Sequence, residues 1–246
     1  MRKPSPTKPW PTRWVTLPNT DRQKQCHPGY ESMKKYGIFL VSLLVGWGAV
    51  TTAAGLLPHS VFSSADDYRI GDAVTNFRLK NLNGGMVSLS DFSEQKGVIL
   101  VFTCNHCPFS KAYERRIGDL HRKFAPQGFS VVVVNPSDPK THEDDKIEML
   151  SYMAKDKGYP YPYLVDDTQT VARAFGANRT PQAYVLKNTG GTFTVEYIGT
   201  LDDNPQDPAS VTKRYVEDAV TNLLAGKPVV ITTTKAIGCA IKWKDA

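Results

Sequence analysis

"FTCNHCPFS", residues 102–110, sets two cysteines two residues apart, with Asn105 and His106 between them and Pro108 immediately after. The run that leads into it, GVILVFT at 97–103, is continuously apolar and rich in β-branched residues. That pattern predicts a central strand buried on both faces. Beyond Pro108 the pattern turns helical: Tyr113, Ile117, Leu120 and Phe124 recur at i, i+4, i+7 and i+11, with Lys111, Arg115, Arg122 and Lys123 on the opposite side. His121 falls on the polar side of the same helix and is expected at the surface. The cysteines therefore sit where a strand ends and a helix begins. Unpaired backbone N–H groups and the helix dipole stabilise a thiolate there, and the larger share is expected for Cys104. His106, when protonated, adds positive charge, favours the thiolate form and pushes the couple towards oxidising character. Pro108 has no N–H and a fixed φ, so it fits the first helical turn without cost.

On the N-terminal side of the motif, segments 76–80 and 86–89 flank Asn83-Gly84-Gly85 and predict a hairpin. On the C-terminal side, Pro126-Gln127-Gly128 ends the first helix and FSVVVVN at 129–135 predicts a second buried strand. A helix is expected over 143–157, its acidic Glu143, Asp144 and Asp145 suiting the N-terminal dipole. A short strand at 163–165, a helix at 168–175, a strand pair at 182–187 and 192–198 and a last helix at 210–225 follow. The order describes an α/β sheet with parallel central strands and an antiparallel edge.

The chain has 246 residues and a formal charge of +6, which at first suggests a nucleic-acid partner. Residues 1–35 hold eight Lys/Arg against Asp21 and Glu31, whereas residues 36–246 balance at 22 against 22. The folded part is neutral, and no internal repeat or interleaving of aromatic with basic residues appears, so nucleic-acid binding is set aside. Residues 36–57 carry no charge and follow Met33-Lys34-Lys35, the layout of an export signal or membrane anchor. Thr51-Thr52-Ala53 and Ser63-Ser64-Ala65 are candidate cleavage sites, while 22 uncharged residues also suffice to span a bilayer. The expected organisation is a basic, Pro-rich disordered tail at 1–32, which is absent if Met33 is the true start. A signal peptide or anchor at 33–57, a linker at 58–71, the domain at 72–226 and a tail at 227–246 containing Cys239 complete it. An exported, extracytoplasmic (periplasmic) location follows, with a possible membrane tether through 36–57.

Strand, C-x-x-C, helix and a later Thr180-Pro181 before a strand resemble the thioredoxin superfamily. The stretch from Asp72 to Trp243 is similar to bacterial thioredoxin-like proteins grouped with the AhpC/TSA (redoxin) family, through FTCNHCP, NPSDP, YPYLVDDTQ, RTPQAYVL, LDDN and GCAIKW. The resemblance implies a thioredoxin-like fold: a central mixed sheet flanked by helices, with an N-terminal hairpin and an extra strand-helix insertion. It implies a thiol-disulfide oxidoreductase in which Cys104 attacks a substrate disulfide, Cys107 releases it, His106 tunes the couple, and Thr180 with a cis Pro181 positions the substrate chain. The expected partners are protein dithiols or disulfides, or a reductant protein, and no cofactor is called for. Two departures stand out. Val98 to Phe102 contains no carboxylate where thioredoxin keeps a buried acid, and only Thr103 separates Phe102 from Cys104.

The short spacing supports a second resemblance. Peroxiredoxins carry Thr-x-x-Cys-Pro, which puts Cys107 at their peroxide-reducing position and Cys104 at their threonine, with peroxide as the substrate and Arg179 as the nearest candidate for their arginine. A third reading is a zinc-binding or structural module, although the chain has no second C-x-x-C or H-x-x-x-H. A purely structural disulfide would close too small a loop to stabilise much. Cys239 reads either as a small buried apolar residue or as a third thiol. Asp202-Asp203-Asn204 reads as a polar loop with no catalytic role.

Overall fold

The computed structural model describes residues 67–244. The tail 1–32, the apolar segment 33–57 and residues 58–66 of the linker lie outside the described residues. Among the described residues no helix is long and apolar enough to cross a membrane.

The hairpin forms as Arg78–Asn81 (β1) and Met86–Ser88 (β2), with Gly84 and Gly85 supplying the positive φ of the turn, 95° and 75°. Gly97–Phe102 (β3) is buried at every position, as is Phe129–Asn135 (β4). Pro108–Phe124 (α1) joins them and stops at a 3-10 turn that closes on Gly128 with φ 98°. Ile147–Lys157 (α2), Tyr163–Val165 (β5) and Thr170–Ala174 (α3) follow. Arg179–Thr180 (β6) leads into Gln182–Thr189 (β7), which pairs with Thr192–Gly199 (β8), and Tyr215–Leu224 (α4) comes next. A two-residue strand, Cys239–Ala240 (β9), lies in the tail.

The main sheet runs β2-β1-β5-β4-β3-β7-β8. The pairs β3–β4 and β4–β5 are parallel, while β3–β7, β7–β8 and β1–β5 are antiparallel. This mixed sheet, with helices on both faces, is the thioredoxin-like arrangement that the element order predicts. Side-chain alternation explains why β3 must be central. Ile99 and Val101 join Tyr113, Ile117, Leu120 and Phe124 of α1 and Val216 and Val220 of α4 on one face. Val98, Leu100 and Phe102 meet Phe175 and Tyr184 on the other. Burying each such side chain contributes about 1.5–3 kcal/mol, so a polar residue at any of them would be strongly destabilising. Gly97 fits because a Cβ there would collide with the Phe129 ring and the Leu186 carbonyl.

Three expectations change in detail. The helix predicted over 143–157 is interrupted: Glu143–Asp145 is a 3-10 turn, and Lys146 is extended (ψ 141°) before α2 starts. The break turns Asp145 inward. The last helix begins at Tyr215 rather than near 210, after a 3-10 turn at Pro208–Ser210. His121 is half-buried rather than at the surface: its Nδ1 accepts the Val131 N–H at 3.2 Å, and burial, with Arg122 nearby, holds the imidazole below its ordinary pKa.

Candidate active site

The end of β3 delivers Cys104 and Cys107 to the start of α1. The helix begins at Pro108, so Cys107, with extended backbone (φ −76°, ψ 123°), is its N-cap. The stabilisation that the sequence assigns mainly to Cys104 therefore falls on Cys107. The neighbouring Cys104 thiol favours the charged form of Cys107 most, and Cys239 and the Ser110 N–H add to that against the opposing effect of burial. These contacts hold the Cys107 thiol well below the ordinary thiol range. The same pairing, with burial, pushes Cys104 up, so the thiol form resides on Cys104. Cys107 is fully buried and Cys104 nearly so.

Thr180 bridges the pair from across the sheet. Its Oγ1 is 3.0 Å from Cys104 Sγ, and its carbonyl oxygen lies 3.2 Å from Cys107 Sγ, where it accepts from that sulfur in its protonated form. The Thr180-Pro181 peptide is cis, as the resemblance implies. β6 thus brings Thr180 and Pro181 to the dithiol, 76 residues after Cys104.

His106 is partly exposed. Its Nε2 lies 3.8 Å from Cys104 Sγ, and its Nδ1 pairs with Asp145 Oδ2. The Asp145 side chain is completely buried. It also accepts from the Asn105 N–H at 2.7 Å and from Asn135 Nδ2 at 2.9 Å, both through Oδ1. A carboxylate with these donors has the partners a buried charge requires. The acid missing from β3 is therefore supplied by the turn before α2, aligned with the imidazole that faces Cys104. The His142 ring stacks on His106 at 3.7 Å between centroids. Sequence reasoning read Asp145 only as a helix-dipole residue.

A small cavity of about 20 Å³ opens beside Cys104, between Thr103, Asn105, Ser110 and the rings of Tyr159, Tyr161 and Tyr163. It is large enough for roughly one water. Cys239, expected as a core residue or a third thiol, is partly exposed and pairs with Thr180 through β9; burial and the neighbouring Cys107 push its thiol up. Arg179 Nη1 donates to the Gly238 carbonyl at 2.9 Å. Among the described residues no group of three His, Cys, Asp or Glu side chains is placed to hold a metal ion. Asp202 departs from the polar-loop expectation. It is buried, accepting from Tyr113 Oη and Arg116 Nη1, each at 2.7 Å.

The model of the AhpC/TSA family matches residues 70–201. An uncharacterized conserved protein from Geobacillus kaustophilus has a crystal structure that aligns with TM-score 0.68 at 34% identity, over 74% of this chain and 95% of that one. A hypothetical protein from Sinorhizobium meliloti 1021 aligns with TM-score 0.67 at 30% identity, over 74% and 98%. By sequence, the thiol-disulfide oxidoreductase ResA of Bacillus subtilis is 26% identical over 59% of this chain and 76% of its own length. The chloroplastic peroxiredoxin Q of Gentiana triflora is 25% identical over 61% and 67%. Both of these relatives are oxidoreductases acting on thiols.

Proposed function

The chain belongs to the AhpC/TSA family and is an oxidoreductase acting on thiols, and from that premise we propose that it interconverts a Cys104–Cys107 dithiol and disulfide in exchange with protein disulfides or thiols. The observation that carries this reading is the convergence of both cysteines on Thr180, whose Oγ1 lies 3.0 Å from Cys104 Sγ and whose carbonyl oxygen lies 3.2 Å from Cys107 Sγ. A single reactive thiol does not need that arrangement.

In the proposed cycle the Cys107 thiolate attacks one sulfur of a substrate disulfide, and the other sulfur leaves as a thiolate. His106 Nε2 takes the Cys104 proton, and the imidazolium is held by Asp145. The Cys104 thiolate then attacks Cys107, an intramolecular disulfide forms, and the second substrate sulfur leaves with the proton. Two electrons pass to the substrate. The reverse sequence oxidises substrate thiols. Thr180 and Pro181 position the incoming chain beside the pair.

A second reading, thiol peroxidase, is favoured by the N-cap position of Cys107. In that reading Arg179 makes no hydrogen bond to Cys107; its Nη1 donates to the Gly238 carbonyl. Export through 36–57, with cleavage or tethering, completes the proposal. The domain begins near Asp72, and residues 1–32 contribute nothing to activity. Redox titration of a Cys239→Ser variant tests the dithiol: a single reversible couple assigned by mass mapping to Cys104–Cys107 is expected. A stoichiometric zinc ion, lost together with folding on chelation, would restore the metal reading instead.

A further inference from the structure

Cys239 is the one thiol of the cluster that reaches the surface, and the fold takes care to hold it there. β9 pairs antiparallel with β6 in the register Thr180↔Cys239 and Arg179↔Ala240. The Ile241 N–H donates to the Asn178 carbonyl at 3.0 Å, Gln169 Nε2 donates to the Lys242 carbonyl at 2.8 Å, and the Lys244 N–H donates to Gln169 Oε1 at 2.7 Å. Ile241 is buried in the core beneath. At Gly238 a Cβ would collide with the Thr180 carbonyl, so only glycine lets the tail approach this closely. Thr180 is also the residue whose carbonyl accepts from Cys107, so Cys107 and Cys239 meet over the same residue.

We propose that Cys239 is a third exchange thiol, which moves the disulfide from the buried Cys104–Cys107 pair to the partly exposed Cys107–Cys239 pair. The inference rests on the dithiol reading above. Its step is a balanced thiol-disulfide exchange. The Cys239 thiol loses its proton to solvent and its sulfur attacks Cys107; the Cys107–Cys239 bond forms as the Cys104–Cys107 bond breaks. Cys104 leaves as a thiolate and takes a proton from His106 Nε2. One disulfide is consumed and one formed, so no further oxidant is needed. An external thiol can then attack the Cys239 sulfur and displace Cys107, the best stabilised leaving thiolate of the three. This adds, to the direct attack by Cys107, a second point of exchange at the more exposed Cys239.

The experiment oxidises the full chain with a disulfide reagent, quenches with acid and maps the linkages by mass spectrometry. Wild type should yield both Cys104–Cys107 and Cys107–Cys239, and Cys104→Ser should yield Cys107–Cys239 within one chain. Gly238→Val keeps all three thiols but pushes β9 off Thr180, and it should lower the Cys107–Cys239 yield at least tenfold. If Cys239→Ser forms Cys104–Cys107 but neither wild type nor Cys104→Ser links Cys107 to Cys239, the third-thiol proposal fails while the dithiol reading stands. Unchanged linkage in Gly238→Val would equally overturn the strand's role. If Cys239→Ser forms no Cys104–Cys107 disulfide, the dithiol reading fails first.

Discussion

Asp145 pairs with His106 from 39 residues away, and the imidazole it orients faces Cys104 with its other nitrogen. The carboxylate is completely buried and reaches the site only because the chain stays extended at Lys146 before α2 begins. The relationship places a carboxylate and an imidazole in line with Cys104, although the strand leading to the cysteines carries no acid.

Asp145→Asn keeps the shape and the acceptor oxygen but removes the charge that holds an imidazolium. Disulfide-exchange turnover should fall about 100-fold, the size typical of losing positioned acid-base assistance. The formation of the substrate mixed disulfide on Cys107 should change much less. Stopped-flow kinetics that resolve the two half-steps check this, with the loss confined to the second.

The thiolate should reside on Cys107. Its pKa is depressed by the Cys104 thiol, Cys239 and the Ser110 N–H, so its ionised form persists as pH falls below the ordinary thiol value and is lost only through the depressed one. Cys104, raised by that pairing and by burial, should stay protonated into alkaline solution. Ultraviolet thiolate absorbance of Cys239→Ser, titrated downward from pH 8, should show one thiolate that survives well into acid. Cys104→Ala, which removes the largest stabilising contact, should move that transition upward.

Asp202→Ala should destabilise the fold by about 3 kcal/mol, because it leaves the buried Arg116 guanidinium and the Tyr113 hydroxyl without their carboxylate. Thermal unfolding followed by circular dichroism measures the loss, and Asp203→Ala, one residue on and facing Thr212, serves as the comparison.

The strands around the site were legible because their signals are local. The apolar runs of β3 and β4 read directly as buried strands, and Tyr163–Val165 was placed to the residue. Cys104 and Cys107 were legible from spacing and Thr180 from the resemblance to the thioredoxin superfamily, and the structure places Thr180 against both cysteines. What the sequence hid depends on distant pairing. Asp145 looked like one of three acidic residues at a helix start, and nothing local marks which of them turns inward. The division of charge between the cysteines depended on where α1 begins, a single-residue matter that the motif alone does not fix. Cys239 sits in a tail without periodicity, and a two-residue strand leaves no pattern; its place beside Thr180 is set by the register of β9 on β6.

The central claim concerns two cysteines acting as a pair, and it is tested most directly by trapping. With Cys239 replaced by Ser in both, Cys104→Ser should retain mixed disulfides with substrate proteins on Cys107, since the thiol that resolves them is gone, while Cys107→Ser should retain few. Rapid conversion of Cys107 to a sulfenic acid by hydrogen peroxide in the Cys104→Ser background, with no mixed disulfide on either cysteine, would contradict the account and establish the peroxidase chemistry in its place.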